Sequence, residues 1–508
     1  MDRRLFLKNL GMLAGAGTVS MALGNVPLRA FSKSFLNLQA VNGKVLVILQ
    51  LSGGNDGLNT IIPIEDSLYY NARPSLGISK ADAITLSNLT GMHPSLMPLK
   101  SLYDDGKVAI VQNVGYENPN RSHFRSTDIW LSASDSNVVV DDGWVGRYLA
   151  KVLPDHYPVN SEHPLGIQIG STQSALLECT CQGTMGISFE SPNQFYQLIN
   201  GSTADNDPPP NTIAGNQLKY IKEIAALSIR YAEVIKEKAD LVENKATYPN
   251  TRLGRQLAII AELVAGGLET PVYLTSIGGF DTHSNQAGSH ANLLSGVAEA
   301  IAAFQEDLEL LGIDDRVVMM TFSEFGRRVN QNSSGGTDHG TAAPLFVIGR
   351  NVNGGIYGDN PNLSDLDNSG DIKFKYDYRQ IYASLLTEQL AMPGDRMPDV
   401  LMKGFETLPL IAASNTYHDK PLSFKLEQNY PNPFNPTTSI TYSLRVPIAF
   451  KLEVFSAAGD RVATLVNGYQ ETGSYTVQFD GSKYPSGVYF ATLESGVVRQ
   501  TIKMVLVK

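Results

Sequence analysis

The chain has 508 residues, of which 43% are hydrophobic and 18% are charged, values typical of a folded globular protein. This length is too great for one ordinary core and indicates two or three domains. The formal net charge is −10 and the sequence holds no block of basic residues that could bind phosphates, so we expect no nucleic-acid partner.

The N-terminus has the composition of an export signal. Arg3 and Arg4 precede Lys8, and a weakly apolar stretch rich in Gly and Ala follows. This stretch is too short and too rich in glycine for a membrane span, which needs about 20 apolar residues. Residues 1–30 resemble a twin-arginine signal, which implies the twin-arginine translocase as a partner. The alternative is an ordinary amphipathic N-terminal helix.

Apolar runs that end in polar, glycine-containing turns recur after this signal. They are KVLVILQL, KVAIVQNVGY, TPVYLTSI, RVVMMTF and APLFVIG. Helical patterns such as HANLLSGVAEAIAAFQEDLELLG alternate with them, which predicts an α/β domain with a largely parallel sheet over residues 44–411. Ligands in such folds bind beyond the carboxyl ends of the strands. In this chain, polar residues collect at those ends.

The two cysteines, Cys179 and Cys181, are separated by one residue. A disulfide across a single intervening residue is strained, so we expect two free or buried thiols. No disulfide framework is predicted.

The character of the sequence changes after residue 411. Residues 412–423 are polar and contain a proline, which indicates a linker. Residues 424–508 hold short alternating runs such as FKLEVFSAAG, SYTVQFDG and GVYFATLESG, which predict a small antiparallel β-sandwich. A generic adhesion or sugar-binding sandwich would satisfy this pattern.

The motifs NYPNPFNPTTSITYSL and PSGVYFATL are more specific than the strand pattern. They resemble the type A C-terminal sorting domain of the type IX secretion system. This resemblance implies the type IX machinery as a partner. It also implies delivery through the periplasm to the cell surface or the medium.

Acidic and imidazole side chains follow or precede the predicted strands in four segments. The residues are Asp56, Asp281, His283, Glu324, Asp338 and His339. Carboxylate oxygens with imidazole nitrogens suit Zn²⁺, Mn²⁺ or Fe, and an all-oxygen subset suits Mg²⁺ or Ca²⁺. A single Asp-His pair more often caps a turn. Four such segments at strand ends predict a shared site for one or two divalent ions.

Ser122 is the candidate nucleophile, since it stands where a helix should begin in NRSHFRSTDIW. A helix N-terminus stabilises negative charge on a nucleophile or a bound anion. The alternative is that Ser122 only caps the helix, although no Glu or Gln is placed to complete a capping box. His123, Arg125 and Arg327 could bind anionic oxygens or be ordinary surface residues.

An ordered series of motifs over about residues 44–395 resembles the domain-of-unknown-function family 1501. The motifs include LQLSGGNDGLNT, NRSHFRSTDIW, GGFDTHSNQ, SEFGRR, GTDHGTAAP and DYRQIYASLL. That family is placed in the alkaline phosphatase-like superfamily alongside sulfatases, which implies a three-layer α/β/α core, usually two metals, and a nucleophile at a helix start. The positions that match are the nucleophile Ser122 and the metal ligands Asp56, Asp281, His283 and His339.

One segment departs from the superfamily. Where the resemblance implies an Asp-His pair after a core strand, this chain has Glu324 and Phe325, and phenylalanine cannot bind a metal. The leading hypothesis is an exported metal-dependent hydrolase of phosphate or sulfate esters, with an anionic ester or polysaccharide as substrate. The alternative is a surface binding or scaffold protein that kept the fold and lost the chemistry.

Overall fold

The chain forms two compact units, Met1–Ala412 and Ala413–Lys508. The computed structural model describes residues 22–23, 26–27, 43–152, 161, 163–171, 173–181, 183–199, 207–208, 210, 212–412, 424–444, 448–457, 459–471, 473–495 and 498–508. Arg3, Arg4 and most of the predicted export signal lie outside the described residues, as do residues 413–423 of the predicted linker.

The first unit contains a nine-stranded sheet. Some strands of this unit belong to smaller sheets. After a short pair (Ala22–Leu23 and Val26–Pro27), the strands of the whole unit in chain order are β1 (Val45–Leu51), β2 (Ile61–Ile62), β3 (Ile84–Thr85), β4 (Gly91–Met92), β5 (Val108–Gly115), β6 (Gly166–Ile169), β7 (Glu178–Cys179), β8 (Gly183–Thr184), β9 (Gly186–Phe189), β10 (Val272–Ile277), β11 (Val317–Phe322), β12 (Ala343–Ile348), β13 (Gly355–Tyr357) and β14 (Tyr376–Asp377). The order of strands in the nine-stranded sheet is β9-β6-β10-β1-β11-β12-β5-β13, with β14 beside β5. Strand β12 is antiparallel to β11 and β5, and the other described pairs within this nine-stranded sheet are parallel.

Helices cover both faces of this sheet. They are α1 (Gly57–Thr60), α2 (Ser67–Ala72), α3 (Lys100–Asp104), α4 (His123–Ser132), α5 (Trp144–Val152), α6 (Pro192–Ile199), α7 (Ile213–Asp240), α8 (Arg252–Ala265), α9 (Gln286–Leu310), α10 (Tyr378–Ser384) and α11 (Met397–Leu401). Short 3₁₀ turns span Pro94–Leu99, Ala175–Leu177 and Gly394–Arg396, and a π-helical turn spans Leu385–Gln389.

Alternate residues of the central strands face two separate cores, because successive side chains of a strand point to opposite faces. Leu46 and Ile48 of β1 pack with α4, α5 and α10, whereas Val47 and Leu49 pack with α8 and α9. Burial on both faces explains why β1 reads as a nearly continuous apolar run. The predicted three-layer α/β/α core with a mainly parallel sheet is confirmed.

The second unit is a pair of antiparallel sheets. Its strands are β15 (Phe424–Leu426), β16 (Thr437–Leu444), β17 (Ile448–Ser456), β18 (Arg461–Gln470), β19 (Gly473–Asp480), β20 (Gly487–Ser495) and β21 (Val498–Leu506). The sheet β15-β16-β19 contributes Ile440 and Tyr442 to a core that it shares with Leu452 and Leu493 of the sheet β18-β17-β20-β21. This confirms the predicted small β-sandwich. Across the described parts of both units, no helix has the length and apolar content to span a membrane.

Cys179 and Cys181 are joined by a disulfide, so the prediction of free thiols was wrong. The spacing argument holds for an extended chain, in which these Cα atoms would lie about 7 Å apart. In the structure the chain turns between β7 and β8, and the two Cα atoms lie 5.2 Å apart. That separation is within the usual range for disulfides.

Candidate metal centre

Loops at one edge of the sheet bring three histidines to a single aspartate. Asp281 follows the carboxyl end of β10, and His123 opens α4 after β5. His339 instead precedes a strand, β12. Because β12 is antiparallel, its first residue Ala343 pairs with Val114 near the carboxyl end of β5. His339 therefore reaches the same edge of the sheet as Asp281 and His123.

Three imidazole Nε2 atoms surround the carboxylate of Asp281. The Nε2 atoms of His283 and His339 lie 3.1 and 3.2 Å from Asp281 Oδ1, and the Nε2 of His123 lies 3.5 Å from Oδ2. The two Nε2 atoms of His283 and His339 are 3.0 Å apart. Ligands held about 2.1 Å from a tetrahedral Zn²⁺ are about 3.4 Å from one another. The distances from the Asp281 oxygen atoms to the Nε2 atoms of these histidines are of similar size.

The Nδ1 atoms of the same histidines are each held by an oxygen atom. A carbonyl oxygen only accepts hydrogen bonds, so the Nδ1 of His339 carries the ring proton and its Nε2 keeps a lone pair. A carboxylate partner favours the same tautomer, and such partners orient metal-binding histidines. The pairs are His123 Nδ1 with Glu324 Oε1 at 2.8 Å, His283 Nδ1 with Asp338 Oδ1 at 3.0 Å, and His339 Nδ1 with the Arg121 carbonyl at 2.8 Å.

Glu324 and Asp338 thus contact the Nδ1 atoms of histidines. The sequence predicted instead that both would be metal ligands. Glu324 is buried, and its Oε1 also accepts a hydrogen bond of 2.9 Å from the Gly53 amide. Asp338 is half-exposed and accepts a hydrogen bond of 3.2 Å from Asn332. Among the described residues, the group whose ligand atoms all lie within 4.8 Å of one another is His123, Asp281 and His339.

Arg327 holds Asp281 from the interior of the protein. Its buried guanidinium donates a hydrogen bond of 2.7 Å to Asp281 Oδ1 and others to the carbonyl oxygens of Gly54 and Thr337. Burial alone would raise the pKa of Asp281, but the hydrogen bond and charge of Arg327, together with the neighbouring His339 and His283, outweigh it and lower that pKa to about 2. Asp281 is therefore ionised at neutral pH.

The two arginines predicted to bind anions are engaged within the protein. All the contacts of Arg327 described above are internal. Arg125 Nη2 donates to the carbonyl oxygens of Ser136 and Val138, at 3.2 and 2.6 Å, and so fixes the loop after α4. Both guanidinium groups donate hydrogen bonds within the protein, whereas the sequence predicted that they would bind anions.

Asp56 also differs from its predicted role as a ligand. It is fully buried and accepts a hydrogen bond of 2.5 Å from Arg73 and another from Gln286. Burial favours the neutral acid, but the charge and hydrogen bond of Arg73 outweigh it and lower the pKa of Asp56. Its charge is thus balanced by an arginine and not by the histidine group.

Phe325, the departure from the superfamily pattern, packs against two of the histidines. Its buried ring centroid lies 4.9 Å from the ring of His123 and 4.6 Å from that of His339. A side chain at Gly54 would approach the Phe325 ring to 2.4 Å, so the loop after β1 closes against the same ring. Phe325 forms an apolar support for the two imidazoles.

Ser122 is the N-cap residue of α4, but its side chain makes no capping hydrogen bond. It is exposed and lies between Arg121, whose carbonyl holds His339, and His123, which faces Asp281. His123 was not among the metal ligands predicted from the sequence. The available signal was its place beside the candidate nucleophile at the end of a buried strand.

Two regions of the chain match known families. Residues 232–387 match the protein family of unknown function DUF1501, and residues 428–508 match the secretion system C-terminal sorting domain. The chain thus contains one segment that is similar to DUF1501 and one that is similar to the sorting domain. The DUF1501 segment contains Asp281, His283, Glu324 and His339, whereas His123 precedes it. The sorting domain indicates export and a location at the cell surface.

Solved structures give distant similarities, and no curated protein matches the chain. The PorZ surface component of the type IX secretion system of Porphyromonas gingivalis is 16% identical, with 20% of this chain and 14% of that chain covered and a TM-score of 0.13. A Bacteroides thetaiotaomicron protein described with the metabolism of multiple glycosaminoglycans is 11% identical, with 83% and 89% covered and a TM-score of 0.36. An alkaline phosphatase superfamily protein from Vibrio parahaemolyticus is 11% identical, with 90% and 82% covered and a TM-score of 0.31. Similarities at these TM-scores carry no information on activity.

Proposed function

We propose that this protein is an exported metal-dependent hydrolase of phosphate or sulfate esters, whose metal is bound by His123, Asp281, His283 and His339. The observation that carries the proposal is the approach of three imidazole Nε2 atoms to the Asp281 carboxylate at 3.1, 3.2 and 3.5 Å. Lone pairs and a negative charge so close together are stabilised by a cation. Three nitrogens and one oxygen suit Zn²⁺ or Mn²⁺ better than Mg²⁺ or Ca²⁺.

The residues around this group support the same reading. A metal ion here would polarise a phosphoryl or sulfuryl oxygen of the ester. Ser122 would be the nucleophile, because its exposed hydroxyl is not used for capping and the N-terminus of α4 stabilises negative charge. Glu324 and Asp338 would keep the Nε2 atoms of His123 and His283 directed at the metal.

Export would use two signals. The sorting domain at residues 428–508 supports passage across an outer membrane, and we assign it to the type IX machinery. The twin-arginine motif at residues 1–30 would bring the chain into the periplasm first. An anionic ester, including one carried by a polysaccharide, would then be met at the cell surface or in the medium.

A binding or scaffold role is the second candidate. Asp56, which the superfamily resemblance assigns to a metal, is neutralised by Arg73, and Phe325 stands where a further ligand is expected. Fewer metal ligands than in an active relative would be compatible with loss of catalysis.

Protein purified after native export separates the two candidates. We expect bound Zn²⁺ or Mn²⁺ and hydrolysis of an aryl phosphate or aryl sulfate. Ser122→Ala should keep the metal and lose roughly 1,000-fold in turnover, because only the nucleophile is removed. Thr127→Ala, on the same helix, is the matched control and should retain turnover. Bound metal without hydrolysis of either ester would favour the scaffold, and protein without metal would contradict the proposal.

A further inference from the structure

The disulfide between Cys179 and Cys181 closes a very short loop, with one residue between the two cysteines. A disulfide stabilises a protein mainly by restricting the unfolded chain, and this effect grows with the length of the closed loop. A loop of this length therefore adds little to the stability of the fold. The accessibility of the two sulfur atoms, in contrast, gives this disulfide a chemical use.

The two cysteines differ in exposure. Cys179 is buried in the same core as Trp144 and Val145, whereas Cys181 is exposed. The rate of attack of a thiolate on a disulfide depends on access to the sulfur atom, and exposed disulfides are the labile ones. An incoming thiolate therefore reaches the sulfur of Cys181, and the sulfur of Cys179 is the leaving group.

Hydrogen bonds hold the turn that carries the cysteines, in addition to the disulfide. Thr180, between the two cysteines, donates from its amide and its hydroxyl to the carboxylate of Asp142, the hydroxyl at 3.1 Å. The amide of Gly143 donates to the carbonyl oxygen of Glu178 at 2.9 Å. None of these contacts involves sulfur. The turn should therefore persist after reduction and keep the two thiols close enough to form the bond again.

The N-terminus of α5 lies against the residue that precedes Cys179. Gly143, whose amide contacts Glu178, comes directly before this nine-residue helix. A Cβ atom at Gly146, in the first turn of α5, would clash with the carbonyl oxygen of Glu178, so β7 packs directly on that turn. A helix N-terminus stabilises a thiolate. This effect offsets the cost of forming the leaving thiolate of Cys179 in a buried place.

The surroundings of Cys181 are acidic. Asp142 accepts both hydrogen bonds from the preceding residue, Thr180. Residues 171–191 include Glu178 and Glu190 but no Lys, Arg or His. Opposite charges speed the association of two molecules, and like charges slow it. A thiol that is flanked by positive charge therefore suits this disulfide better than an anionic thiol does.

We propose that Cys179–Cys181 is a thiol–disulfide exchange site for a dithiol that a partner protein carries beside positively charged residues. One partner thiolate attacks the Sγ of Cys181, the S–S bond breaks, and the Sγ of Cys179 leaves and takes up a proton. The second partner thiolate then attacks the partner's own sulfur in the mixed disulfide, and Cys181 is released and protonated. The partner's two thiols are thereby oxidised to a disulfide, and the disulfide of this protein is reduced to two thiols. The exchange is independent of the proposed hydrolysis.

Two small thiols of opposite charge test the site in the folded protein. We expect the disulfide to be reduced without unfolding, roughly tenfold faster by cysteamine, a cation, than by 2-mercaptoethanesulfonate, an anion, at equal thiolate concentrations. The difference should shrink at high ionic strength. Alkylation of the new thiols and mass spectrometry measure the rates, and circular dichroism follows the fold. A disulfide that reacts only in denaturant overturns the exchange site, and equal rates overturn the charge assigned to the partner.

The source of the charge preference is tested at Asp142. Asp142→Asn keeps the shape of the side chain that contacts Thr180 but removes its charge, so the rates with the two thiols should approach each other. Asp365→Asn is the matched control, because it removes the same charge from an exposed residue that pairs with Lys373. A preference for cysteamine that is unchanged in Asp142→Asn contradicts the role of this carboxylate.

Single-cysteine variants identify the sulfur that is attacked. Cys179→Ser leaves the exposed thiol of Cys181, and Cys181→Ser leaves the buried thiol of Cys179. We expect cystamine, a cationic disulfide, to form a mixed disulfide with Cys181 roughly 100-fold faster than with Cys179. Comparable rates would contradict attack at the exposed sulfur. The measurements on the wild-type protein decide on the exchange site even if one of these variants fails to fold.

Discussion

Asp56 and Asp281 show how neighbouring side chains decide the role of a carboxylate. Both follow a buried strand in a glycine-containing turn. Asp56 is fully buried and its charge is balanced by Arg73. The Asp281 side chain is 48% exposed and faces three imidazoles, although Arg327 also holds it. Of the two, Asp281 keeps the exposure that a ligand site requires.

At the same scale, the effect of Glu324 and Asp338 on the histidines that they contact can be tested by substitutions that leave the proposed metal ligands in place. Glu324→Gln keeps the shape of the side chain but removes the charge that favours the Nδ1 proton of His123. We expect about a tenfold loss of metal affinity with little change of fold, as is usual for such partners. Metal titration of the apoprotein measures this loss.

Asp338→Asn, behind His283, should have a similar effect. Asp365→Asn is the control, because Asp365 is exposed and pairs with Lys373. Equal metal affinity in all three variants and the wild type would show that the two carboxylates do not act on the metal centre.

At the scale of elements, the direction of β12 assembles the site. In a fully parallel sheet, the residues that precede a strand lie at the opposite edge from those that follow one. Strand β12 runs antiparallel, so the GTDHG segment before it joins the segments after β5, β10 and β11. The phenyl ring of Phe325, in the loop after β11, then supports His339 as well as His123.

Helix α9 is joined to the loop after β1 by a buried polar network that makes stability depend on pH. His290 is buried, its Nε2 lies 2.9 Å from Asn55 Oδ1, and its ring contacts that of His93 edge to face. Burial lowers the pKa of both histidines to about 4, against about 6.5 in an unfolded chain. The unfolded chain therefore binds more protons between these values, and stability falls as the pH falls from about 6.5 to about 4.

Titration of each of these histidines should lower the free energy of unfolding by about 2 kcal/mol as the pH falls from 7 to 5. We expect His290→Gln to be less stable at pH 7 but to lose less on acidification. Urea unfolding of both proteins at the two pH values measures the difference. If the two proteins lose stability equally, titration of His290 is not the cause.

At the scale of the whole molecule, the sandwich has its own hydrophobic core. Its strands enclose Ile440, Tyr442, Leu452 and Leu493, and the division into units falls at Ala412 and Ala413. We expect deletion of residues 424–508 to leave the α/β unit folded, with a cooperative thermal transition, while the protein stays in the periplasm. Fractionation and thermal unfolding measure the two outcomes. Loss of the transition would contradict independent folding, and delivery to the surface would contradict the sorting role.

The sequence by itself determined the strand and helix pattern, the sandwich at residues 424–508 and the segments that hold Asp281, His283 and His339. These follow from hydrophobic periodicity and from motifs, which are local properties of the chain. The tertiary structure decided that β12 is antiparallel, that Cys179 and Cys181 meet in a turn, and that Arg73 neutralises Asp56. Each of these depends on residues that are distant in sequence or on a local backbone turn, and no periodic pattern encodes such contacts.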